Sequence, residues 1–216
     1  MLFSGPIDRQ HQINSSAALG GVKNKRRIFF DSIYEGGKIA RMVLMGNGSR
    51  VTHAALRSVH AAVQEPLGQE GILVLGQGID GSPKRLLNHL KANPDTVVFG
   101  TSAMWEGVDV VGPALSALML VRLPFAVPSD PIVAARSETF DDPFHSYQVP
   151  DAILRFRQGF GRLIRSKTDR GVVLVLDKRV TSKSYGQLFL DSLPDCTVYR
   201  GPLVNVPSQA QAWVNK

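Results

Sequence analysis

A chain of 216 residues with 44% hydrophobic side chains can bury a core of its own, as one large domain or one and a half small ones. No apolar run approaches the ~20 residues of a membrane span, no apolar signal-peptide segment stands at the N-terminus, and the single cysteine, Cys196, excludes an internal disulfide and any multi-cysteine zinc or iron–sulfur site. The net charge of +7, with an isoelectric point near 9.8, points to a polyanionic partner, nucleic acid ahead of a membrane surface, and to a cytoplasmic location. Residues 1–36 carry the solvated basic run Lys23-Asn24-Lys25-Arg26-Arg27, show no sustained period, and allow one short strand at 28–30. A strand is expected at 42–45, a turn at 46–49, and a helix at 53–67 with Thr52 as its N-cap and Pro66 at its end. From Gly71 the pattern becomes regular. Strands are expected at 72–75, 96–101, 115–123 and 171–177, with an edge strand at 197–200. Helices are expected at 83–92, 131–139, 151–166 and 184–192; Pro83 suits a first helical position, and Leu86, Leu87 and Leu90 share one face. The segment 124–131, rich in proline, is a stiff loop.

Apolar β-rich runs alternating with helices define an α/β chain with a parallel sheet covered on both faces. Ligands of such sheets bind beyond the carboxyl ends of the strands, where Thr101, the residues after Leu123, and Asp177 fall. The expected helix at 151–166 places Gln158, Arg162 and Arg165 at i, i+4 and i+7 on one face, with Phe156, Phe160, Leu163 and Ile164 mostly opposite. Gly159 and Gly161 each cost such a helix about 1 kcal/mol relative to alanine, an expense usually offset by close approach of another backbone or a phosphate. Two guanidiniums and an amide on one face suit a polyanion such as a triphosphate tail; an exposed basic helix with incidental glycines is the alternative. Basic residues do cluster here, with Arg155, Arg157, Arg162, Arg165, Lys167 and Arg170 against one acid, Asp169.

After the strand at 96–101 come Ser102, Ala103, Met104, Trp105, Glu106, Gly107, Val108 and Asp109. Hydroxyls and free N–H groups at a strand end can hold phosphates. Glu106 and Asp109 form a carboxylate pair that raises general acid/base catalysis, but no histidine or metal-type cluster accompanies them, which favours capping a turn or pairing with the arginines. Trp105 could stack on a base; a core anchor is the favoured reading. His53, His60, His89 and His145 read as surface or packing residues. Gly76-Gln77-Gly78-Ile79-Asp80-Gly81 fits Gly-x-Gly-x-x-Gly, yet it lacks the Lys-Ser/Thr of a P-loop and a well-placed ribose-binding acid. The chain is therefore expected not to bind ATP fully by itself.

Three segments in order carry a family resemblance: Trp105-Glu106-Gly107-Val108-Asp109; Leu123-Pro124-Phe125 with Pro128-Ser129-Asp130-Pro131; and Gln158-Gly159-Phe160-Gly161-Arg162-Leu163-Ile164-Arg165-Ser166. Asp169-Arg170-Gly171-Val172-Val173, Asp177-Lys178-Arg179 and Tyr185-Gly186 follow. Together they resemble the C-terminal helicase domain of the DinG/XPD-like family of superfamily 2 DNA helicases, over roughly residues 52–195. The resemblance implies a second RecA-like motor domain, with ATP and Mg²⁺ held in a cleft shared with a first motor domain that carries the Walker motifs. It implies that Gln158, Arg162 and Arg165 reach the γ-phosphate, as arginine fingers do. Gly107, Asp109, Glu106 and Gly161 would lie on the nucleotide side, and Thr101, Ser102 and Trp105 on the backbone of DNA, single-stranded DNA in particular. The residues around Gly76 to Leu90 take the place of helicase motif IV.

The chain departs from the family pattern in lacking the first motor domain and the cysteines of the iron–sulfur cluster found in many relatives, and Gly46-Asn47-Gly48-Ser49-Arg50 interrupts the approach to the helix at 53–67. The division expected is a lead-in, or remnant of a truncated upstream region, over 1–50, a RecA-like domain over 51–205, and a tail over 206–216, in a fragment or incomplete gene product. A stand-alone nucleic-acid-binding or regulatory module without ATPase activity is the alternative function.

Overall fold

The computed structural model describes residues 2–4, 42–46, 50–101, 104, 115–164 and 171–214. Within them the apolar runs pair into one sheet of seven strands: β1 (Leu2–Ser4), β2 (Met42–Gly46), β3 (Leu73–Gly76), β4 (Thr96–Thr101), β5 (Ala117–Leu120), β6 (Gly171–Val175) and β7 (Thr197–Val198), in the order β3-β4-β2-β5-β6-β1-β7. The first five in that order run parallel, as the alternation of strands and helices requires. At the far end β1 lies antiparallel to both β6 and β7. An antiparallel edge on a parallel sheet is common, but its strands are too short to show a period in the sequence.

Two-residue alternation sorts each central strand between two cores. Val98, Leu118, Leu120 and Val173 face one, while Val97, Phe99, Ala117, Met119, Val172 and Leu174 face the other. The first core is covered by α2 (Pro83–Ala92), α4 (Val149–Leu163) and α6 (Gly186–Asp191) through Leu86, Leu90, Phe156, Phe160 and Phe189. The second is covered by α1 (Arg50–Gln69) through Leu56, Val63 and Leu67, and by α7 (Val206–Val214) through Val206 and Ala210. Helices thus lie on both faces, and β4 is buried along its whole length.

The element boundaries differ from expectation in instructive ways. Helix α1 begins at Arg50, so Thr52 sits in its first turn, and it continues past Pro66 to Gln69. Proline forfeits only its own N–H bond here, and Leu67, buried in the second core, holds the last turn. Gly71, at φ 83°, then turns the chain into β3, and Ile72 N–H donates to Leu67 O at 2.9 Å. The helix expected at 131–139 is α3 (Pro131–Ser137), started by Asp130, whose carboxylate accepts from Ile132 N–H at 2.9 Å. The strand expected at 115–123 narrows to β5. A π-helical turn, Phe144–Gln148, leads into α4. The helix at 184–192 shortens to α6 and is preceded by α5 (Arg179–Ser182). Residues 206–214, expected as tail, form α7 docked on the sheet. The expected strand at 28–30 and the turn residues 47–49 lie outside the described residues.

At the carboxyl end of β6 one carboxylate ties three segments together. Asp177 is 9% exposed. Its Oδ2 accepts from Leu123 N–H at 2.9 Å, and its two oxygens receive the Arg179 N–H and guanidinium at 2.6–3.0 Å. The Arg179 guanidinium lies over the Phe125 ring at 5.2 Å. Phe125 in turn stacks on Phe144 at 5.9 Å and meets Tyr185 and Phe189 at 5.7 and 5.8 Å. The loop after β5, the exit of β6, the π-helical turn and α6 are therefore one unit. Gly186 lets α5 and α6 approach: a Cβ there would lie 2.6 Å from the Arg179 carbonyl oxygen and closer still to that of Val180.

Two outcomes follow from this unit. Gly186→Ala forces a methyl against backbone, which cannot rotate away, and should cost about 1–3 kcal/mol in urea unfolding. For Asp177, burial alone would raise the carboxyl pKa; the Arg179 side chain, then the Leu123 and Arg179 N–H groups, outweigh burial and hold it below the ordinary range. The folded group is thus more acidic than the unfolded one, so its contribution is complete above about pH 4 and is lost as pH falls below that. Asp177→Asn should lower stability at pH 7 and flatten the stability profile between about pH 5 and 3, measured by unfolding across that range.

Candidate functional site

Helix α4 divides cleanly by its 3.6-residue period. Ala152, Phe156, Phe160 and Leu163 are buried in the first core, and Gly159 is buried with them. Leu154, Arg157, Gln158 and Gly161 look outward, Leu154 at 57% exposure. Arg155 bonds Asp151 one turn back, Nε to Oδ2 at 2.9 Å. Beside the outward side a hollow of about 430 Å³ is lined by Leu154, Gln158, Gly161 and Ile164 of this segment and by Leu193 and Pro194 after α6. Gly161 explains part of that space: a Cβ added to it meets nothing within 4 Å. The protein's own packing therefore does not require glycine there.

Helix α4 ends at Leu163. Ile164 is extended (φ −117°, ψ 108°), its N–H donating to Phe160 O at 3.0 Å, and it leans on the first core. Leu163 packs where a Cβ on Gly171 would lie 2.7 Å from its Cγ. The helix expected at 151–166 thus ends at Leu163. Gln158 and Arg162 do occupy α4 at i and i+4; the Arg162 side chain and all of Arg165 lie outside the described residues. Ser102, Trp105, Glu106, Gly107 and Asp109 also lie outside them.

Thr101 ends β4 and is 2% exposed. Its N–H and its hydroxyl both donate to one acceptor, Gln77 Oε1, at 2.9 and 3.1 Å. Gln77 opens the loop after β3, which closes on itself. Gly78 N–H donates to Gly81 O at 3.2 Å, Ile79 and Asp80 N–H donate to Gly76 O at 3.0 and 2.9 Å, and Asp80 Oδ2 accepts from Gly76 N–H at 2.7 Å. Gly78 (φ 74°) and Gly81 (φ 149°) supply the backbone turns. A Gly-rich loop whose N–H groups are engaged in this way, with a carboxylate at its centre, has little to offer a pyrophosphate, and the dinucleotide reading of this segment falls away.

His60 is a packing residue, as expected. It is buried, edge-on to Phe99 at 6.1 Å, and its Nε2 lies 3.1 Å from Asp80 Oδ2 without an aligned hydrogen bond. His145 is exposed and paired with Asp142 at 2.8 Å. Among the described residues no group of three His, Cys, Asp or Glu could hold a metal ion, and no helix is long and apolar enough to cross a membrane. The sequence marked Thr101 and Asp177 as strand-end positions. It did not mark Gln77 or the Leu123 N–H as their partners, because 24 and 54 residues separate the members of each pair.

Residues 51–196 match the family model of the helicase C-terminal domain. The 3'-5' exonuclease DinG of Bacillus subtilis is 41% identical over 152 residues, covering 68% of this chain and 16% of that protein. The ATP-dependent DNA helicase YoaA of Haemophilus influenzae is 44% identical over 126 residues, covering 56% of this chain and 20% of that protein. The ATP-dependent helicase DinG of Mycobacterium tuberculosis is 36% identical over 162 residues, covering 73% of this chain and 24% of that protein. The chain thus spans between 16% and 24% of the length of these relatives.

The open space at Gly161 yields a direct test. With no steric conflict and an ordinary helical backbone, Gly161→Ala should stabilise the domain by about 0.5–1 kcal/mol, read as a shift of the urea midpoint. A loss of stability would show that the glycine serves the fold.

Proposed function

The chain belongs to the helicase C-terminal domain family, and from that premise we propose that it is the second RecA-like motor domain of an ATP-dependent DNA helicase. It works in the cytoplasm on DNA, single-stranded DNA in particular, together with a first RecA-like motor domain of the same protein. That first domain holds the triphosphate and Mg²⁺ through its Walker motifs; this domain closes the cleft. The observation that carries the reading is the outward side of α4, where Gln158 and the open position at Gly161 stand free of the core while the inward side anchors the helix rigidly.

In this reading Arg162 and Arg165 bring positive charge to the γ-phosphate, where negative charge builds up in the transition state, and the Gln158 amide orients the reacting groups. Gly161 leaves room for the phosphates or the opposite domain to approach the α4 backbone. Gly107, Asp109 and Glu106 flank the nucleotide, and Thr101, Ser102 and Trp105 meet the DNA strand. Rigid anchoring matters because a guanidinium misplaced by about 1 Å costs on the order of 10²-fold in rate. The helicase names of the H. influenzae and M. tuberculosis relatives support the assignment.

The test separates the two halves of the motor. The chain alone should show no DNA-stimulated ATP hydrolysis, since arginines without a P-loop do not position the triphosphate. Joined to the Walker-bearing domain of a relative it should turn over, and Arg162→Ala should then lose about 10³–10⁵ in rate. Arg162→Lys should not rescue it, because a point charge lacks the planar fork. The same substitutions should leave the melting of the isolated chain nearly unchanged. Hydrolysis by the chain alone, or near-normal turnover of the alanine variant, would overturn the assignment.

A further inference from the structure

We propose that the Gln77 side chain plugs the N–H and hydroxyl donors of Thr101 in the free domain, and that a backbone phosphate of a single nucleic-acid strand displaces the plug. The inference rests on the DNA-binding reading above and adds a means of regulating it.

Two donors converging on one acceptor atom at 2.9 and 3.1 Å is how a protein holds an anionic oxygen. Here the acceptor is a neutral amide oxygen brought from a loop 24 residues earlier. The site lies at the carboxyl end of a central parallel strand, where ligands of such sheets bind. The neighbouring backbone donors of the loop are engaged within it: those of Gly76, Gly78, Ile79 and Asp80 all have partners. Thr101 differs in that a side-chain group, and no part of the backbone, covers its donors.

Gln77 is built to leave without disturbing the loop. Its main-chain N–H donates to Phe99 O at 2.8 Å, and it bridges to Gly81, so the backbone stays pinned while the side chain rotates. The residue is half-buried, so its amide reaches solvent on release, whereas Thr101 at 2% exposure is sealed until it does. A charged oxygen makes a hydrogen bond about twice as strong as a neutral one, which favours the exchange.

The test uses this chain and a dye-labelled oligothymidylate, read by fluorescence anisotropy at about 50 mM salt, where phosphate contacts are strong. Gln77→Ala should tighten binding about fivefold, the factor set by one net hydrogen bond. Gln77→Met, which keeps the length but accepts nothing, should do the same, and it keeps the test alive if the alanine variant unfolds. Gln77→Glu should weaken binding, because a carboxylate is a better plug and repels the strand. Thr101→Val in the Gln77→Ala background should cancel the gain. Thermal melts confirm that each variant is folded. Unchanged or weaker binding in folded Gln77→Ala and Gln77→Met overturns the plug while leaving the DNA-binding reading intact if wild-type binding still falls steeply with salt. Loss of all oligonucleotide binding in every variant overturns both. Inorganic phosphate or ATP competing with wild-type selectivity equal to the oligonucleotide would show a site for free phosphate and overturn the nucleic-acid assignment.

Discussion

Burial of the central strands on both faces governs the rest of the molecule. Along β4 every residue is enclosed, with Val98 directed to one core and Val97 and Phe99 to the other. A strand covered in this way has no surface on which to display chemistry, so its working groups are confined to its carboxyl end. Loops at that end cannot rely on helix or sheet ladders. They are held by single side chains: Gln77 closes the exit of β4, and Asp177 closes the exits of β5 and β6.

The Asp177 unit shows why a charge is worth burying at such a place. Its carboxylate would be costly at 9% exposure if it stood alone. With the guanidinium of Arg179 and the Leu123 N–H the desolvation is outweighed, and the pair fixes a loop that has no regular structure of its own. The Arg179 guanidinium also lies over Phe125, so the ion pair and the aromatic cluster support each other. Removing one partner leaves the other unpaired, which makes the unit cooperative.

Helix α4 separates core residues from outward-facing ones along its own axis. Its inward residues, Phe156 and Phe160 above all, belong to the core, and changing them would unfold the site together with the domain. Its outward residues, Gln158 and Gly161, take no part in the core. A helix-weakening glycine kept where no internal contact needs it is the local conflict expected at a functional position.

Strands β3 to β6, helix α2 and the two-sided α/β layering were legible in the sequence because apolar period and proline placement act over a few residues. The same local rules put Gln158 on the outward side of a helix and Thr101 at a strand end. They overran the end of α4, expected at 166 and found at Leu163. They found the edge strand β7 within 197–200 but missed β1, three residues long, whose pairing is set by partners far along the chain. Tertiary structure alone decided that Thr101 donates to Gln77 and that Asp177 holds Leu123. Each bond joins residues distant in sequence, and no local period records which side chains a sheet's strand order will bring together.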